Sequence, residues 1–157
     1  RGNTTAIRER QPMATTTFLG NATINISVGA TPTVYDVSDQ CTKCEVMVGY
    51  DYLESTAFGD TGHRAVQGLQ TVAVNMDLFL SYGAGEVETM LAAIQTAGSC
   101  SITVSPSGTT ESASNPEFVL SNLTLENNPA IMSTVGELAV ASLSFTNGTW
   151  VRDITNP

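Results

Sequence analysis

The sequence predicts a mainly β fold with one flanking α-helix, arranged as a β-sandwich or barrel, and three observations carry that expectation. Apolar and polar side chains alternate with period two from residue 23 onward, the mark of half-buried strands. Only one window has helical spacing. Charged residues make up 13% of the 157, about half the usual share, and Thr, Ser, Asn, Val and Gly fill the gap, a strand-rich composition with many turns.

In chain order, Ile24, Ile26 and Val28 share the first apolar face. Over an expected strand at 45–53, Val46, Val48, Tyr50 and Tyr52 face one way and Glu45, Met47, Gly49 and Asp51 the other. Val72, Val74, Met76, Leu78 and Leu80 align opposite Thr71, Asn75 and Asp77. The helix is expected in GAGEVETMLAAIQTAG, residues 83–98, where Val87, Met90, Leu91 and Ile94 recur at helical spacing. Glu86 and Glu88 suit its first turn and Gly98 its C-terminal cap. Two apart on a helix, these carboxylates point to different faces, so the helix N-terminus explains them better than an acid–base pair. Cys100, Ile102 and Val104 form the next face, and the apolar-rich run from Phe118 to Leu125 slips phase midway, as at a bulge. Asn147-Gly148 between two apolar runs is a two-residue hairpin signal. One helix among seven or eight strands gives a sandwich or barrel with the helix packed on it.

Length supports one well-buried core, with no internal repeat and no linker to divide it. Residues 1–12, RGNTTAIRERQP, stand apart: they hold three of the six cations and no apolar pattern, and Met13-Ala14-Thr15-Thr16 reads as an ordinary translation start. The expected division is an N-terminal extension or arm over 1–22 and a single β-sandwich domain over 23–157.

Six Lys plus Arg stand against fifteen Asp plus Glu, a formal charge of −9. So few cations cannot neutralise a phosphate backbone, which excludes a dedicated nucleic-acid binder, whereas a surface that repels nucleic acid fits the numbers. Low charge also implies that other protein covers much of the surface, because an isolated domain keeps itself dispersed with more. No apolar run approaches the roughly 18 residues of a membrane span, and no signal-peptide core is found. Three cysteines, an odd number, argue against a secreted disulfide framework. The sequons at Asn3, Asn21, Asn25, Asn122 and Asn147 are chance matches in a chain rich in Asn and Thr. Synthesis in a reducing cytosol is the expectation.

Two motifs hold chemistry-bearing residues. Cys41-Thr42-Lys43-Cys44 supplies half of a zinc site, and Cys100 and His63 would have to converge on it. A redox pair of the thioredoxin type opens a helix after a strand, whereas this pair precedes the expected strand. Ordinary thiols are the preferred reading, with a disulfide or a metal as alternatives. In ESTAFGDTGHR, Glu54, Ser55, Asp60, His63 and Arg64 lie within eleven positions. Catalytic triads draw their members from distant elements, and these residues share one Gly-punctuated loop without a Gly-x-Ser-x-Gly elbow. Asp60 is more simply a turn or capping residue with Arg64 as its charge partner. Phosphate-loop and His-Glu-x-x-His motifs are both missing. The chain is expected not to be an enzyme and to use no cofactor or metal.

The order of short segments is informative in itself. Glu54-Ser55-Thr56-x-Phe58-Gly59-Asp60, Arg64 and Val66-Gln67-Gly68-Leu69 lead into a strand ending near Asp77. Met90-Leu91-Ala92-Ala93, Val104-Ser105-Pro106, Ser114-Asn115-Pro116-Glu117-Phe118, Val135-Gly136-Glu137-Leu138-Ala139 and Gly148-Thr149-Trp150-Val151-Arg152 follow. From about Met13 to Pro157 this succession resembles the major tail (tail tube) proteins of long-tailed, non-contractile bacteriophages of the siphophage type. Their order, not any single motif, carries the likeness.

The resemblance implies a structural virion protein whose hexameric rings stack into the hollow tail tube through which DNA is ejected. Its partners would be further copies of itself, other phage tail proteins at the tube ends, and double-stranded DNA in transit without specific binding; no membrane is involved. The protein would be made and assembled in the bacterial host cytoplasm and reside in the virion tail. Phe58, Asp60, His63 and Arg64 would lie in the inter-subunit loop, and the polar alternates Glu45, Asp51 and Asp77 would line the lumen, the alternative being that these acids face outside solvent. A capsid decoration or tail terminator protein is the alternative function. An immunoglobulin-like binding or adhesion module fits less well, since it requires an exposed aromatic cluster and only 6% of residues are aromatic.

Overall fold

The structure is a computed structural model that describes residues 20–108 and 110–155. The expected extension over 1–22 falls almost wholly outside them. Eight strands and one helix follow in the order β1 (Thr23–Val28), β2 (Thr33–Asp36), β3 (Cys41–Glu54), β4 (Ala65–Phe79), α1 (Val87–Ala97), β5 (Cys100–Ser105), β6 (Glu117–Leu125), β7 (Val140–Thr146) and β8 (Thr149–Asp153). All pairings are antiparallel, in the order β2-β1-β5-β6-β7-β4-β3, with β8 also on β6. The mainly β fold with one flanking helix is therefore as expected, and the sheet does not close: among the described residues β2, β3 and β8 each pair on one side only.

The sheet folds into two layers because β6 serves both. Its first part pairs with β5 and β8, and its end pairs with β7. One apolar cluster fills the space between: Ile24, Ile26 and Ile102 from one layer, Val72, Val74, Met76, Leu78 and Phe145 from the other, and Val87, Met90, Leu91 and Ile94 from α1. These are the period-two and helical stripes expected from the sequence. The helix ends where expected, with Gly98 left-handed (φ 77°) and its N–H donating to the Ile94 carbonyl at 2.9 Å. The phase slip in β6 is real as well. Leu120 and Leu123, three apart, are both buried, the β5–β6 register shifts between Cys100 and Ile102, and Asn122 between the two leucines has φ 58°.

The hairpin expected at Asn147-Gly148 is not there. Ser121 pairs with Thr149 and Thr124 with Thr146, the same spacing on both strands, so β7 and β8 run in one direction along β6. Asn147 (φ 67°) and Gly148 (φ 80°) have the left-handed backbone of a tight hairpin turn. Opposite Asn122 they kink the strand from one layer to the other without reversing it. The local signal specifies positive φ, and what the bend does depends on the partner strand, which sequence spacing does not show.

Two further expectations change. β3 begins at Cys41, so the Cys-x-x-Cys pair lies inside the strand; a register shift between Cys41 and Lys43 leaves both cysteines partly buried. Tyr50 and Tyr52, expected on the face of Val46 and Val48, are 45% and 71% exposed, because β3 runs on past the core. β2, short and mostly exposed, was not foreseen.

The corner is expected to be intolerant of side chains. A Cβ on Gly148 would lie 2.2 Å from the Ser121 carbonyl oxygen, whereas Gly136, also at positive φ (88°), has open space around it. Gly136→Ala should cost only the left-handed strain of about 1 kcal/mol, and Gly148→Ala at least ~2 kcal/mol more through overpacking. Urea unfolding midpoints of the two variants check this; equal midpoints would contradict the described corner.

Candidate functional site

Core burial along β4 stops at Val72. Beyond it, Ala65 to Thr71 of β4 and Gly49 to Glu54 of β3 contain no buried residue, yet the two strands stay paired to Glu54↔Ala65. The result is a two-stranded arm standing off the body. It exposes Tyr52, Leu53, Phe58, Val66 and Leu69. An isolated ribbon of this kind is marginal in water, and such an apolar surface marks an interaction site. The outer edge of β3, fourteen residues long, has no strand beside it among the described residues.

The loop at the arm's tip is tied internally. Ser55 N–H donates to the Arg64 carbonyl (2.9 Å), closing the hairpin. Asp60 accepts the Ala57 N–H at 2.9 Å and pairs with Arg64 Nε at 3.2 Å, the turn role and charge partner read from the sequence. His63 Nδ1 lies 2.8 Å from Glu54 Oε1, and Thr56 Oγ donates to the same oxygen at 3.0 Å. Through His63 first and Thr56 second, the Glu54 carboxyl is held below the usual carboxylate range. A triad does not form, since Asp60 is engaged with Arg64 and His63 with Glu54. Phe58 is fully exposed at the turn.

The polar alternates Glu45, Asp51 and Asp77 share one face of the β3–β4 sheet, the one turned away from the core. Cross-strand pairs face the same way, and Glu45 pairs with Asn75 and Lys43 with Asp77. Alternation along β3 puts Asp51 on that side, and a Cβ at neighbouring Gly68 would lie 3.0 Å from the Asp51 Cβ. Hydroxyls extend the face onto β7: Ser142 donates to Asp77 (2.6 Å) and Ser144 to Asn75 (3.0 Å). Lys43, paired with Glu45 at 3.1 Å, is the cation there that the sequence reading left out.

Two features escaped the sequence reading. The β6–β7 connection exposes Ile131, Met132, Val135 and Leu138; four large apolar residues without strand or helix period were the available signal. At the arm's root, Tyr50, Gln70 and Trp150 form a hydrogen-bonded group, which no local pattern announces.

The thiols are poorly suited to chemistry. Burial, and secondarily the nearby Cys41, push the Cys44 thiol up to about 12, and burial pushes Cys100 to about 11. The three cysteines are free, and the described residues hold no cluster of three or more His, Cys, Asp or Glu able to bind a metal. No described helix is long and apolar enough to cross a membrane.

No family model and no curated protein sequence matches the chain. Solved structures do. The chain resembles a chain in the baseplate of the anti-feeding prophage (TM-score 0.55, 7% identity, 88% of this chain and 97% of that one). It also resembles a chain in the tail of an empty gene transfer agent (GTA) particle (0.54, 8%, 85% and 96%). A third likeness is to the sheath-tube complex of an extracellular contractile injection system (0.53, 15%, 84% and 88%). The chain shares their fold.

Burial, which pushes both thiols up, disfavours the reactive thiolate of Cys44 and Cys100. Iodoacetamide should therefore label Cys44 and Cys100 at least a hundredfold more slowly in the native protein than in urea, as followed by peptide mass spectrometry. Equal native and unfolded rates would contradict their burial.

Proposed function

We propose that the chain is a structural, non-enzymatic virion protein that forms hexameric rings stacked into the tail tube of a non-contractile, long-tailed phage, the conduit for DNA ejection. The carrying observation is the apolar β3–β4 arm beside a fourteen-residue unpaired edge, a surface that one copy cannot cover for itself. Further copies cover it, the arm tip with Phe58, Asp60, His63 and Arg64 meeting the next ring, and the 1–22 extension serving the same contacts. The shared fold with tail and tube assemblies supports this reading.

Glu45, Asp51 and Asp77 then line the bore. A conduit must let a polyanion slide, and every Lys or Arg on phosphate adds affinity and hence friction. Acidic walls keep the duplex centred, with a reach of roughly 8 Å at physiological salt. Lys43, bound to Glu45, is neutralised on that face. A tube terminator is the second reading, favoured by the likeness to a sheath/tube terminator assembly (TM-score 0.53, 16% identity, 83% of this chain and 92% of that one).

Electron microscopy of the purified protein tests both readings. Long hollow tubes of six-fold rings, with Glu45, Asp51 and Asp77 on the bore, are expected. Single rings that never extend would favour the terminator, and monomers would remove the proposal. Phe58→Ser with Leu69→Ser should abolish tubes while changing monomer stability by only about 0.5 kcal/mol, as surface substitutions do.

A further inference from the structure

The arm has to leave the body in a fixed direction if it is to meet another copy, and the backbone does little to fix that direction. The β4–β7 ladder runs from Phe79↔Val140 to Ala73↔Thr146 and stops. There the β7–β8 strand kinks at Asn147 and Gly148 and follows β6 into the other layer. No β4–β8 ladder replaces it among the described residues. Just beyond, the β3–β4 register shifts between Tyr50 and Tyr52, a bulge that bends and twists a ribbon. Between these two discontinuities lie two regular cross-strand pairs of the core-side stripe, Val48↔Val72 and, next to the bulge, Tyr50↔Gln70.

The latter pair reaches β8. Gln70 Oε1 accepts the backbone N–H of Trp150 at 3.0 Å, so a side-chain amide stands where a backbone carbonyl would continue the sheet. The Gln70 amide nitrogen donates to Tyr50 Oη at 3.3 Å, and Trp150 Nε1 donates to the same oxygen at 3.4 Å. Phe118 stacks on the indole (centroids 5.9 Å apart), anchoring it to β6. Gln70 and Tyr50 are also where the stripe Leu78, Met76, Val74, Val72 on β4 and Val46, Val48 on β3 turns polar, so apolar packing has ended and hydrogen bonds take over.

We infer that Gln70 is a positioning residue: with Tyr50 and Trp150 it splices the arm to β8 across the gap in the sheet and sets the direction in which the arm projects. The contact with a neighbouring copy rests on the function proposed above; the splice itself belongs to the single chain. It also occupies an edge N–H of β8 that would otherwise invite a foreign strand.

The test uses the unassembled full chain, so its outcome is separate from whether tubes form. Spin labels at positions 61 (arm tip) and 95 (exposed face of α1), in a background without the native cysteines, report the arm's direction. The unsubstituted sequence at position 70 should give one narrow distance distribution, and Gln70→Leu a broad one, with Trp150 amide exchange about tenfold faster, the equivalent of one lost hydrogen bond. Gln70→Glu keeps the acceptor for the Trp150 N–H and should restore its protection. Should Gln70→Leu fail to fold, Tyr50→Phe provides the second variant, broadening the distribution and shifting Trp150 emission. A narrow, unshifted distribution in whichever of these variants folds overturns the inference.

Discussion

Strands β3 and β4 are longer than the core they help to build. Apolar burial on β4 ends at Val72 and on β3 near Val48, yet the pairing continues to Glu54↔Ala65. Past the contact of Tyr50 and Gln70 with Trp150, each of the two strands has only the other as a partner, and no residue is buried. Two strands alone bury too little to stabilise themselves, and the apolar side chains they carry, Leu53, Val66 and Leu69 among them, remain exposed. This mismatch between strand length and core length gives the chain its open edge and its apolar arm.

The corner on β6 is the cause one step back. If β7 and β8 formed the hairpin that Asn147-Gly148 advertises, β8 would fold back on β7. Instead the three left-handed residues Asn122, Asn147 and Gly148 let both strands of the β6 ladder bend together. The bend carries β8 into the first layer and leaves β4 without a paired strand on its β7 side beyond Ala73. One kink thus closes the core and releases the arm. Gly148 is indispensable there because its missing side chain admits the Ser121 carbonyl.

How much of this was legible follows from the range of each interaction. Stripes such as Ile24-Ile26-Val28 and Val72 to Leu80 were readable, since burial on one face imposes period two on the sequence itself. Gly98 and the Met90–Ile94 spacing announced the helix for the same local reason. The slip in β6 showed as Leu120 and Leu123 three apart. By contrast, the fate of Asn147-Gly148 depends on β6, some 25 residues earlier in the chain, and the Gln70–Trp150 contact spans 80 positions. Neither leaves a local pattern. Within the candidate site, the Asp60–Arg64 pair was legible because both members belong to one turn; alternation told that Glu45 and Asp51 share a side of β3, whereas their sharing a face with Asp77 depends on the β3–β4 register, which the sequence does not show. That Tyr50 and Tyr52 are exposed was not legible, since period two assigns faces and cannot tell where a core ends.

At the arm's tip the polar side chains engage one another, Glu54 with His63 and Asp60 with Arg64, and burial pushes the Cys44 and Cys100 thiols up. What remains unsatisfied is surface. Amide hydrogen exchange across residues 41–71, compared between the free chain and its sedimented assemblies, measures this most directly. If further copies cover the edge and the arm, exchange on the outer side of β3 and along both arm strands should slow by at least tenfold on assembly. Unchanged exchange in that segment, with assembly intact, would show that the copies meet elsewhere and that the exposed arm is not what holds them together.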